Sequence, residues 1–116
     1  MAVRLFTDKA EVLLDAIRTA IDQEKIDTWV YDKEGDFTHS THDGQWRNRA
    51  FLRPEIRNDR LLLNIIFASD EAERRAVYGV YHGRFIEMAT THFPSRFTLA
   101  VATPNMTKED KALNGS

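Results

Sequence analysis

The stretch "RLLLNIIFA", residues 60–68, poses the folding problem of this chain. Side chains alternate along an extended strand. Leu61, Leu63, Ile65 and Phe67 therefore fill one face, and Leu62, Ile66 and Ala68 fill the other, interrupted only by Asn64. A strand that is apolar on both faces is normally covered on both. The sheet that holds it needs helices on one side and something further on the other: the chain's own tail, the curvature of the sheet, or a second subunit.

Reading outward from that strand gives the remaining elements. Downstream, Ser69 or Asp70 is placed to cap a long helix, "EAERRAVYGVYHGRFIEMATTHF", reaching about residue 92 before Pro94. Val77, Tyr81, Phe85 and Met88 form one stripe along it, and Tyr78, His82, Ile86 and Ala89 form another. The first stripe is expected to pack on the sheet with Leu14 and Ile17. Gly79 and Gly83 lie four apart. Glycine inside a helix costs about 0.5–1 kcal/mol relative to alanine, so a packing reason is expected. "RFTLAVAT" follows as a strand stopped by Pro104, and residues 105–116 form a polar tail expected to be flexible.

Upstream, "QWRNRAFLR" reads as a strand stopped by Pro54. "DTWVYD" and "DFTHST" form a hairpin around "DKEG", where Gly35 can take a positive φ. The next turn is "HDGQ". Before them, Ala10, Leu13, Leu14, Ile17, Ala20 and Ile21 recur at helical spacing over residues 8–24. Thr7 or Asp8 is available as the cap, and Glu11 completes an approximate capping box. The order is α-β-β-β-β-α-β. The expected fold is a single α+β domain over residues 1–104: an antiparallel five-stranded sheet with two helices mainly on one face.

Composition narrows the function. The 116 residues are 42% hydrophobic and 29% charged, as in a folded protein. There is no cysteine, which excludes disulfides, thiol nucleophiles and cysteine-based zinc sites. "MAVRLFTDKAEVLL" lacks the apolar run of a signal peptide, and no stretch is long enough to span a membrane. The expectation is a cytoplasmic protein with no membrane partner. No Gly-rich phosphate loop or nucleophile elbow is present, so no cofactor is expected and the reading leans away from an enzyme.

Three clusters are candidate sites. His39, His42 and Asp43 fall within five positions and could supply part of a metal site for a hydrolase. The simpler reading is turn chemistry, with Asp43 bonding the backbone and both histidines facing solvent. In the strand before Pro54, alternation puts Arg47, Arg49, Phe51 and Arg53 on one face. Such a face suits a polyanion or single-stranded nucleic acid. The net charge of −2 argues against nucleic acid, and the acidic hairpin next door offers these arginines cross-strand partners. The third cluster is a protein contact built from Tyr78, Tyr81, His82, Phe85 and Leu62, with Arg84 and Glu87 as its polar rim.

The order helix, strands, helix, strand in a small acidic chain is loosely similar to bacterial secretion chaperones and to some small immunity proteins. The similarity lies in element order, without a shared motif. It implies a protein that binds other proteins and needs no catalytic residues. The leading expectation is a cytoplasmic, non-enzymatic protein-binding domain, chaperone-like, immunity-like or an adaptor, that forms a homodimer or meets another protein.

Overall fold

The computed structural model describes residues 3–40, 45–105 and 111–112. In chain order the elements are β1 (Val3–Phe6), α1 (Ala10–Asp22), β2 (Trp29–Tyr31), β3 (Phe37–His39), β4 (Ala50–Ile56), β5 (Arg60–Phe67), α2 (Arg74–His92), β6 (Leu99–Ala102) and the two-residue β7 (Lys111–Ala112). The chain is an α+β protein. Its sheet follows the six-strand path β2-β3-β4-β5-β1-β6, with β7 pairing to β5 off that path. Every pairing along the path is antiparallel, and the β5–β7 pairing is parallel.

The two-sided strand is where its composition demands. β5 is buried from Leu61 to Phe67. β4 lies along one edge, with Ala50 opposite Phe67 and Ile56 opposite Leu61. The other edge is shared: β1 takes Arg60 to Leu63, and β7 takes Ile66 and Phe67. Val3, Leu5, Leu52, Leu61, Leu63, Ile65 and Phe67 form one cluster with Leu13, Leu14 and Ile17 of α1 and Val77, Tyr81, Phe85 and Met88 of α2. Both helices therefore feed the same core. Leu62 and Ile66 are buried outside it, on the opposite face. Arg4 and Glu55 flank Leu62 in register, and Phe51 lies opposite Ile66.

The structure departs from the sequence reading at several points. The sheet path has six strands, not five, because β1 was not expected. β1 is only four residues long, but it pairs with β5 on one side and β6 on the other, and Val3 and Leu5 are completely buried. The arginine-rich strand starts at Ala50, five residues later than expected. Residues 45–48 form turns, and Asn48 takes a left-handed φ of 58°. That strand also runs through Pro54 to Ile56. β3 pairs with β4 only as far as Phe37 opposite Leu52, so Pro54 lies where no ladder bond is required from that edge.

The helix ends also move. α1 stops at Asp22, since Glu24 adopts a left-handed φ of 60° and Lys25 N–H returns to Ala20 O. Neither helix has a side-chain cap at its N-terminus; Thr7 Oγ1 instead accepts the Lys9 N–H at 3.1 Å. α2 begins at Arg74, because residues 69 and 70 form a turn. Gly35 takes the expected positive φ, at 86°. Within the expected tail, Lys111–Ala112 pairs with β5.

Candidate functional site

The arginine cluster does not hold together as a platform. Arg47 sits in the turn before β4, exposed. Arg49 donates from Nε and Nη2 to the two carboxylate oxygens of Glu71, at 2.7 and 2.8 Å. Its guanidinium lies 5.3 Å from the Trp46 ring centre, so its aromatic neighbour is Trp46 and not Phe51. Arg53 makes the same two-pronged contact with Asp36, at 3.0 and 2.8 Å. Both carboxylates are buried, which makes these pairs part of the fold. The Arg49 hydrogen bonds hold the Glu71 carboxyl below the ordinary carboxylate range, against the upward push of burial, with help from the Glu73 N–H. The hairpin pairing expected for Arg53 is present, whereas Arg49 finds its partner in the segment leading to α2.

The histidine cluster divides. His42 and Asp43 lie outside the described residues. His39 is buried, a correction to the solvent-facing reading. It shares the core face with Phe37 because the two alternate along β3. Its ring stacks on Trp29 with centroids 4.3 Å apart and meets Tyr81 edge-on at 4.8 Å. His39 and His92 line one small cleft of about 290 Å³ with Arg84 and Glu87, a meeting that the sequence did not suggest. They do not form a metal cluster. Among the described residues, the one group with ligand atoms close enough is Asp32, Glu34 and Asp36. Asp32 already accepts the N–H groups of Glu34 and Asp36, and Asp36 is held by Arg53.

The five residues expected at a protein contact are all buried within the chain. Tyr81 and Phe85 lie in the core beside Trp29. Tyr78 stacks on His82 with centroids 3.7 Å apart, and its hydroxyl meets Thr103 Oγ1 at 2.8 Å and donates to Asn105 O at 2.9 Å. Arg75 donates to Pro104 O at 2.6 Å and to Asn105 Oδ1 at 3.0 Å. These bonds pin the chain leaving β6 against the start of α2. Tyr78 and His82 also line a groove of about 300 Å³ between α2 and the end of β6.

Gly79 and Gly83 complete that groove. Both are exposed, and neither takes a positive φ. A Cβ added at either position would meet nothing within 4 Å among the described residues. Among the described residues, the internal close contact that would explain these glycines is therefore missing.

Among the described residues no helix is long and apolar enough to cross a membrane. Compared with family models, curated proteins and solved structures, the chain matches none.

Proposed function

We propose that this chain is a small cytoplasmic protein-binding domain without enzymatic activity, and that it works as a homodimer. The contact lies on the outer flank of α2 and the adjoining end of β6. Gly79 and Gly83 are the observation that carries the reading. Each glycine costs about 0.5–1 kcal/mol relative to alanine in a helix interior. Backbone conformation does not require them, and nothing in the described chain packs against them. A second backbone seated in the groove is the contact that would repay that cost. Tyr78 and His82 keep a role as the groove's rigid wall, while Tyr81, Phe85 and Leu62 act behind it as core. The chemistry of the other clusters supports the same reading, because Arg49 and Arg53 are matched by buried carboxylates and His39 is enclosed by aromatic rings.

The double substitution Gly79→Ala with Gly83→Ala tests this reading, because it separates folding from assembly. Monomer stability should rise by about 1–2 kcal/mol in denaturant titration. Dimer affinity should fall at least tenfold by sedimentation, since two methyl groups now fill the groove. If stability rises and affinity is unchanged, the glycine face is not the contact.

A further inference from the structure

The two ends of the sheet differ. β2 is three residues long and is bracketed by Asp27 and Asp32. A short edge flanked by charge discourages pairing with another chain. β6 closes the other end as Leu99-Ala100-Val101-Ala102, with no charge and no proline, and Leu99 is 56% exposed. Among the described residues no strand lies beyond it.

The ladder shows which backbone groups of β6 face outward. Thr7 N–H donates to Asp59 O at 2.9 Å, so Val3, Leu5 and Thr7 turn their amides toward β5. By alternation, Arg4 and Phe6 turn theirs toward β6. Their register partners are Val101 and Leu99. In an antiparallel ladder, a bonded pair exchanges both its N–H and its C=O. Leu99 and Val101 thus direct both groups inward, and the N–H and C=O groups of Ala100 and Ala102 point away from the sheet.

We propose that a second copy of this chain pairs there, β6 against β6 in antiparallel fashion about a two-fold axis, joining the two sheets into one. This rests on the homodimer reading above and specifies its geometry. A like strand satisfies the edge, because Ala100 of one copy then faces Ala102 of the other and each outward donor meets an outward acceptor. A few hydrogen bonds exposed to water are too weak to hold a dimer alone. The contact must extend onto Leu99 and into the groove beside Gly79, which ends at Ala102–Pro104.

Hydrogen exchange on the full chain, above and below the dimer dissociation concentration, reads this directly. The amides of Ala100 and Ala102 should exchange at least tenfold more slowly in the dimer, and those of Leu99 and Val101 should not change. Ala100→Pro removes an outward donor and leaves the β1 ladder intact, so it should give a folded monomer by circular dichroism and sedimentation. If that variant does not fold, Leu99→Lys places a charge at the edge with the same expected loss of dimer. Fast exchange of Ala100 and Ala102 in a sample that sediments as a dimer overturns the edge pairing and leaves the homodimer reading standing. A monomer at every concentration overturns both. Protection of these amides only when a different protein is added overturns the choice of a second copy.

Discussion

The Tyr81 hydroxyl holds α2 to two other elements. It donates to Trp46 O, lies 3.2 Å from Thr38 Oγ1, and accepts the Arg49 N–H at 3.3 Å. Tyr81→Phe keeps the ring that packs edge-on against Trp29. It leaves a carbonyl and an amide without their partner, which should cost about 1–3 kcal/mol in urea denaturation. Arg47→Ala, a few residues away on the exposed turn, should stay within about 0.5 kcal/mol of the parent. The Arg49–Glu71 pair sets a pH dependence. Glu71 titrates below its ordinary value in the folded chain, so the folded state binds fewer protons than the unfolded state in that range. Its contribution is complete above pH about 4.5 and is lost as pH falls through the depressed value. Acid titration of stability should show this component in the parent and not in Glu71→Gln. The Arg53–Asp36 pair was legible in the sequence, because the hairpin places an acidic strand beside a basic one. Arg49–Glu71 was not, because it depends on how the loop after β5 returns over the turn. His39 was misread because its neighbours look like a turn, although its alternation with Phe37 puts it in the core.

At the scale of elements, the strongly patterned segments were legible and the short ones were not. α1 could be read from its single apolar face, and the Val77-Tyr81-Phe85-Met88 stripe of α2 reaches the core as its spacing requires. β1 has too few residues to show a period. It is defined by its neighbours, lying between β5 and β6, and sequence spacing carries no trace of that. If β1 is integral to the fold, Leu5→Ala should cost as much as a core truncation, about 2–5 kcal/mol, against about 3–5 kcal/mol for Phe85→Ala. A loss below about 1 kcal/mol for Leu5→Ala would show that β1 is only loosely attached to its neighbours. Pro54 misled because proline usually ends a strand; here it lies beyond the reach of β3, where its missing N–H is not needed.

At the scale of the whole molecule, the two-sided β5 raised the question of what covers the second face. The chain itself buries Leu62 and Ile66, so that face needs no partner to cover it. The reasons to propose a partner are the uncharged β6 edge and two exposed helix glycines that no described residue packs against. Only the glycine spacing was visible in the sequence; whether the chain's own packing used it depended on the fold. A homodimer is tested most directly by its mass. Sedimentation equilibrium of the untagged chain at about 10 μM should give twice the 13.4 kDa chain mass, falling to a single chain mass on dilution. A constant mass of one chain from nanomolar to 100 μM (~100,000-fold in concentration, enough to reveal a micromolar dimer) would contradict the homodimer and the contact proposed for it.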